Sequence, residues 1–310
     1  MKKSFTKEEV RSIFNKVLRK QDIPTEIRAA LTLTDENGNL IVPEELKTDL
    51  LEAKIQNKAM RQYVHVIPVK SRKGRFTTED ESNFGEMYQF NAANGVRLTE
   101  KDLKLKGVEW ELKSYGSFTA ISESLFDDAA VDLYELFKIS HGEKSTKTEN
   151  KLIFNAITQN LTPRTLNGWS ELSSSLVKDF NPAIESEIVI VTNQDGWEYL
   201  DKQKDAGGEP ILDVEPGPKR YFRGYPVEVF ANDELPSITD SSTNTVKVPF
   251  IYGSFKRSVK LFHGDRIEVY FAQFPFGIHI QKHAIRGIEE YDVQIIPNTT
   301  YLIYGQIELT

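Results

Sequence analysis

The sequence predicts an α+β protein, flat rather than spherical, and three observations carry that expectation. An apolar strand, Phe118-Thr119-Ala120-Ile121, leads through Ser122-Glu123-Ser124 into a very long helical stretch that ends near Thr158. Residues 64–118 alternate between apolar and polar with a period of two, the mark of strands covered on one face. From Val248 onward the chain is almost wholly strand-like, with apolar runs at Phe250-Ile251-Tyr252, Ile267 to Phe271, Phe276 to Ile280, Val293 to Ile296 and Tyr301 to Tyr304. One helix over the whole long stretch would measure roughly 54 Å at about 1.5 Å per residue. A compact globule of this size has a radius of gyration of only about 19 Å, hence a diameter near ~50 Å. A helix as long as the globule suits a plate with a spine.

The elements follow in order. Residues Met1 to Ile27 read as a charged, amphipathic arm in which Val10, Ile13, Phe14, Val17 and Leu18 share a helical face, with Ser4 or Thr6 as cap. Such a helix either docks on its own domain or reaches a neighbouring molecule. Gly38 to Glu44 reads as a turn and a short apolar segment, and a helix from Glu44 to Asn57 carries Leu46, Leu50, Leu51 and Ile55 on one side.

In the period-two region, Val64, Val66 and Val69 precede the basic residues Lys70, Arg72, Lys73 and Arg75. Leu103 and Leu105 alternate with Lys104 and Lys106. After Gly107 the phase flips to Val108, Trp110 and Leu112, which predicts a β-bulge at the glycine. Between the two flanks, Thr77 to Glu100 is polar and carries the acidic triplet Glu79-Asp80-Glu81. The region reads as a long two-stranded arm with a loose tip. A bare hairpin is marginal in water, so its apolar face, Trp110 included, needs cover from its own domain or from an adjacent subunit. Opposite charges on flank and tip favour the subunit, which makes Arg72, Lys73, Arg75, Glu79, Asp80, Glu81 and Trp110 the candidate intersubunit contacts.

Ser122 and Ser124 are placed to cap the long helix, and Glu123, Asp127 and Asp128 put negative charge at its positive dipole end. Apolar residues recur at Leu125, Phe126, Ala129, Leu133, Leu136 and Phe137, and again at Leu152, Ile153, Ala156 and Ile157. The segment Ser140 to Lys151 between them is polar all round. Pro163 breaks the chain, and a helix within Gly168 to Phe180 carries Trp169, Leu172 and Leu176. Glu187 to Thr192 reads as a buried strand, after which Asn193 caps a helix through Trp197 and Leu200. Ala206 to Pro210, Glu215 to Pro218 and Ser237 to Thr245 are loops. The aromatics Tyr221, Phe222 and Tyr225, interleaved with Lys219, Arg220 and Arg223, suit a twisted hairpin better than a stacking patch for single-stranded nucleic acid.

The chain has 310 residues and a net charge of −7, from 46 acidic and 39 basic residues. A dedicated nucleic-acid binder would be basic. Zero cysteines remove disulfides, zinc–thiolate sites and thiol nucleophiles. No stretch approaches the ~20 apolar residues of a membrane span. G-x-S-x-G, Gly-rich phosphate loops and H-E-x-x-H are all missing, so no catalytic site, cofactor or metal is expected. Of the scattered histidines, His279 and His283 are four apart but read as surface or edge positions.

In order along the chain, five further segments resemble landmarks of the tailed-bacteriophage major capsid proteins of the Hong Kong 97 type. Gly38-Asn39-Leu40-Ile41-Val42-Pro43 is similar to that family's G-x-L-V-P, and Ile121 to Asp128 to its I-S-x-E-L-L-x-D-S. Gly224-Tyr225-Pro226-Val227 resembles L-x-G-x-P-V, and Tyr252 to Lys256 falls where G-D-F-S is usual, with Ser254 in place of Asp. Ile285 to Asp292, followed by Pro297 and Tyr301, resembles R-x-E-E-R-x-D…P-x-A-F, with Tyr291 in place of Arg. The hairpin sits where the family has its extended loop.

The resemblance implies a Hong Kong 97-like capsid fold. Its N-terminal arm would be 1–37, and its peripheral domain with the spine helix 38–63, 119–160 and 257–293. The extended loop would be 64–118, and the axial domain 161–256 with 294–310. It also implies a non-enzymatic head protein that self-assembles as pentamers and hexamers into an icosahedral shell around double-stranded DNA. Assembly would take place in the host cytoplasm, and the product is the virion. Implied partners are a separate scaffolding protein, since only about 37 residues precede the first motif, with portal and head-maturation proteins, non-specifically contacted DNA and no membrane. The alternative within the same fold is an encapsulin-type shell enclosing cargo protein.

Overall fold

A computed structural model describes residues 5–19, 21–31, 33, 40–56, 58–79, 105–122, 124, 131–205, 207–214, 219–240, 245–275, 281–297 and 299–309. Two sheets and a separate hairpin are arranged around one long helix, Leu133–Asn160. The axis of the first sheet is Gln281–Ile295. One of its edges pairs first with Glu268–Pro275 and then with Val259–Gly264, and the other pairs with Lys113–Ser122. Leu40–Ile41 and His65–Val69 complete this six-stranded sheet. The Ile285 to Asp292 motif is therefore the most heavily paired backbone of the sheet.

The second sheet has eight strands, with Thr245–Gly253 between Leu302–Leu309 and Val189–Asn193. Toward its far end, which is the strand Leu212–Val214, lies the hairpin Arg220–Phe222 and Tyr225–Phe230. The turn residues Arg223 and Gly224 both have positive φ, 55° and 83°, the pattern of a type I′ turn that matches strand twist. Arg220 stacks on Trp197 and Arg223 on Trp169, with 4.1 and 5.6 Å to the ring centres. The expected twisted hairpin is present, and its cations already cover their own indoles. Asn193 caps Gln194–Asp201, its Oδ1 accepting from the Gly196 N–H at 2.9 Å, as its position in the sequence predicts.

The long helix has 28 residues, hence about 42 Å. Its cap is Asp132, whose carboxylate accepts the Glu135 N–H at 3.0 Å. This corrects the assignment of Ser122 or Ser124 as caps of a single helix from that point, because Val131 and Asp132 are not helical. The expected apolar positions Leu125, Phe126 and Ala129 lie outside the described residues. Every fourth residue from Leu133 through Phe137, His141, Ser145, Glu149 and Ile153 to Ile157 is buried. The stripe is apolar at both ends and polar in the middle. Its ends serve different cores: Leu133 and Phe137 pack with Phe14, Leu46, Leu50 and Ile285, and Ile153 and Ile157 with Val191, Phe230, Ile251 and Leu261. A third core lies on the other face of the second sheet, around Leu172, Phe222, Phe250 and Tyr252.

The first helix, Lys7–Leu18, begins with a capping box in which Thr6 and Glu9 exchange side-chain-to-backbone hydrogen bonds. It docks on its own chain. Val10, Phe14 and Leu18 are fully buried, and Arg11 bridges Asp132 and Glu135 at 2.5 and 2.7 Å.

The period-two region holds three different things. His65–Val69 and Lys113–Ser122 belong to the six-stranded sheet, and the hairpin proper is Lys73–Glu79 with Leu105–Glu111. Its ladder runs without a break through Thr77↔Gly107, so there is no bulge at Gly107. The glycine instead leaves space for the Arg75 side chain, which a Cβ would strike. Among the described residues no helix is long and apolar enough to cross a membrane.

Candidate functional site on the two faces of one strand

Alternate residues of Gln281–Ile295 point to opposite faces of the sheet. Glu289 and Tyr291 face the long helix, and Glu290 and Asp292 face the hairpin. The first face carries a buried charge cluster. Lys54, from the helix Glu44–Gln56, lies 3.2 Å from Glu149 Oε1, forms an ion pair with Glu289 and reaches Tyr291 OH at 3.3 Å. Arg61 adds a second cation, 2.8 Å from Glu149. His141 Nε2 lies 2.5 Å from Glu289 Oε1, while its Nδ1 meets Ser117 Oγ. His263 Nε2 is 3.3 Å from Glu289 Oε2, and Ser145 Oγ is 2.5 Å from Tyr291 OH. Lys54, Glu149 and Glu289 are all 0% exposed.

Two cations face two carboxylates here, so the cluster is close to neutral when its histidines are uncharged. Unpaired ions would not be tolerated at this depth. Burial alone would raise the Glu289 carboxyl, but the Lys54 charge and the two histidines hold it well below the usual carboxylate range. Burial and the adjacent Glu289 push the Tyr291 phenol well above its ordinary value. Burial lowers the His263 imidazole despite its bond to Glu289. Glu149, His263 and Glu289 could converge on one metal ion, but Lys54 Nζ already supplies a cation between the two carboxylates. Ser117, His141 and Glu289 form a relay of the kind hydrolases use, yet Glu289 is tied to four further groups and Ser117 is itself buried. The chemistry of this cluster is cohesion. It locks two helices and three strands together where an apolar core is interrupted.

The second face carries the hairpin. Trp110 stacks on Phe262 with ring centres 5.4 Å apart, and Phe76 meets Phe262 edge-on at 6.2 Å. Ile67, Val69 and Leu112 complete this small core. The sequence leaves Trp110 two covers, its own domain or an adjacent subunit. Trp110 is 8% exposed and covers its own sheet. The indole lies across Gly74, where a Cβ would come within 2.6 Å of the ring.

The basic flank is also engaged within the chain. Arg72 pairs with Glu290 at 2.5 Å, Lys73 with its cross-strand neighbour Glu111 at 2.8 Å, and Asp292 accepts the Glu111 N–H at 3.0 Å. The two ion pairs are exposed and screened by solvent, so they orient the flank more than they stabilise it. Arg75 is exposed beside Gly107. Glu79 ends the strand, and Asp80 and Glu81 lie outside the described residues.

The sequence reading passed over Lys54, His141, Glu149, His263 and Glu289, which the fold brings together from four separate segments. The signal available was the four-residue spacing of His141, Ser145 and Glu149 in register with Phe137 and Ile153. His283, expected at a surface or edge, is buried on the central strand between Gln273 and Ile121. His279 lies outside the described residues.

The sequence profile described as "Phage capsid family" matches residues 38–300, which take in the first sheet, the hairpin, the long helix and every strand of the second sheet but Leu302–Leu309. A search of curated proteins returns no match. Among solved structures, the chain is similar to the capsid of the native GTA particle, with a TM-score of 0.60 and 14% identity over 81% of this chain and 90% of that one. It is also similar to the structure of Microbacterium phage Oxtober96, with a TM-score of 0.53 and 14% identity over 92% and 99% of the two chains. Mycobacterium phage Bobi gives a TM-score of 0.53 and 14% identity over 81% and 90%. At these identities the likeness is one of fold.

Proposed function

The chain belongs to the phage capsid family, and on that premise we propose that it is the major head protein of a tailed phage. Copies assemble as pentamers and hexamers into an icosahedral shell around double-stranded DNA. A scaffolding protein, a portal and head-maturation proteins act with it in the host cytoplasm, and the mature product is the virion. The observation that carries this reading is the family match over residues 38–300. The architecture supports it: two sheets share one long helix, and a charge cluster stiffens the junction. A stiff tile repeats the same heterologous contacts, and such contacts close into rings and shells when the rotation permits.

On this reading the six-stranded sheet is the core of the peripheral domain, the eight-stranded sheet that of the axial domain, and the hairpin of Lys73–Glu79 with Leu105–Glu111 part of the extended loop. Light scattering and negative-stain imaging of the expressed chain test the reading. Closed particles of megadalton mass are expected, and a persistent monomer would overturn it. Small shells filled with protein instead of DNA would replace the phage head by a cargo compartment.

A further inference from the structure

Lys260 lies on strand Val259–Gly264, on the hairpin-facing side beside Phe262, and is 7% exposed. Its Nζ is 3.2 Å from His65 Nδ1, donates to the Lys256 carbonyl at 2.8 Å and lies 5.9 Å from the centre of the Phe76 ring. Among the described residues no carboxylate pairs with it. Burial, and then the charge of Arg257, lowers the Lys260 amine below its ordinary value, and Arg257 is itself held by Glu187 at 2.9 and 3.0 Å. Glu187 is saturated by that guanidinium and by the Ser254 hydroxyl at 2.7 Å, which together bring its carboxyl down to about 2. Burial and Lys260 lower the His65 imidazole, so the ring is neutral and accepts from the ammonium. Lys54, equally buried, is met by two carboxylates. Among the described residues Lys260 is met by none, and an added carboxylate would favour its charged form.

We propose that Lys260 is the receptor for a carboxylate of a neighbouring copy of this chain. This rests on the shell reading above and names a contact within the shell. Strand His65–Val69 ends its sheet, so the site opens on an edge that a second copy can approach. The chain carries 46 acidic against 39 basic residues, so abutting copies bring carboxylates in excess. The site offers a single cation beside Phe76 and His65, and one carboxylate balances one cation. A nucleic-acid backbone is bound by rows of cations instead.

Zero-length coupling tests this. Shells assembled from a mixture of 15N-labelled and unlabelled chains are treated with a water-soluble carbodiimide, which joins an amine to a carboxylate in contact with it. Digestion and mass spectrometry are expected to find Lys260 joined to an Asp or Glu peptide of the other isotope, in shells but not in unassembled chains. Lys260→Met is expected to abolish that product and lower the dissociation midpoint of the shells. It should leave the denaturation midpoint of the unassembled chain unchanged or raised. Shells that form with Lys260 unlinked and K260M shells of ordinary stability would overturn the inference alone. So would a loss confined to DNA-filled particles, which assigns the site to phosphate, or a loss of chain stability equal to that of the shells. Wild-type chains that never assemble would overturn the capsid reading and this inference with it.

Discussion

Lys54→Met tests whether the buried cluster holds the tile together. Lys54 Nζ touches both buried carboxylates, Glu149 at 3.2 Å and Glu289 in a closer pair, and also Tyr291 OH at 3.3 Å. Methionine nearly preserves the volume, so the cavity contribution is small. The cluster passes from two cations and two carboxylates to one cation and two carboxylates. Removing one partner of a buried ion pair costs about 3–5 kcal/mol. Glu149 keeps Arg61 at 2.8 Å, and Glu289 keeps His141 at 2.5 Å and His263 at 3.3 Å. Those remaining partners place the cost near the lower end, about 3 kcal/mol, or roughly 150-fold in the folding equilibrium.

Urea denaturation of the unassembled chain, followed by circular dichroism, should show the midpoint falling by about 1 M for a slope of ~3 kcal/mol/M. The deficit should shrink as pH falls from 7 to 5. A carboxylate stripped of its cation has a folded pKa raised above its unfolded value of about 4.3, so the folded variant takes up the proton first and gains stability on acidification. A midpoint shift below about 0.2 M, or a deficit that grows in acid, would refute the reasoning.

Trp110→Ala should free the hairpin at a cost of about 3 kcal/mol, read as new protease cleavage within 73–79 and 105–111 while the rest of the chain melts as before. Unchanged protection in the isolated chain would mean that the indole serves a neighbour instead. Gly74→Ala should release the hairpin in the same way, because its Cβ meets the stacked Trp110 ring, whereas Gly107→Ala should be tolerated because the mobile Arg75 side chain can swing aside. Equal protease sensitivity of the two glycine variants would contradict this. His263 is held neutral by burial, below its ordinary value. The unfolded chain therefore binds a proton that the fold does not, and stability falls as pH drops below ~6.5. His263→Gln should flatten that loss between pH 6.5 and 5, and urea midpoints at pH 7, 6 and 5 would show whether it does.

Much of the architecture was legible in local pattern. The helix around Phe14, the Asn193 cap, the buried strand before it, the aromatic hairpin at Arg223-Gly224 and the C-terminal strands all declare themselves through spacing and turn chemistry. Those signals are short-range, and backbone sterics or a single capping bond enforces them. The long helix was legible as a spine, but its start was not. Asp132 wins over Ser122 and Ser124 because Asn15 and Arg11, more than a hundred residues upstream, hold the Asp132 carboxylate at 2.9 and 2.5 Å.

The sequence by itself determined the class of fold and the family resemblance, since both depend on residue identity and order along the chain. Tertiary structure alone decided what the charges do. The polar middle of the spine could have been a solvated face, and it became a buried lock because Lys54, His263 and Glu289 arrive there from other segments. Trp110 covers its own sheet for the same reason: partner choice is set by which surfaces the fold brings within van der Waals reach. Among the described residues Lys260 meets no carboxylate because the two strands beside it present His65 and Gln294 at its register, a coincidence of pairing that no local periodicity records.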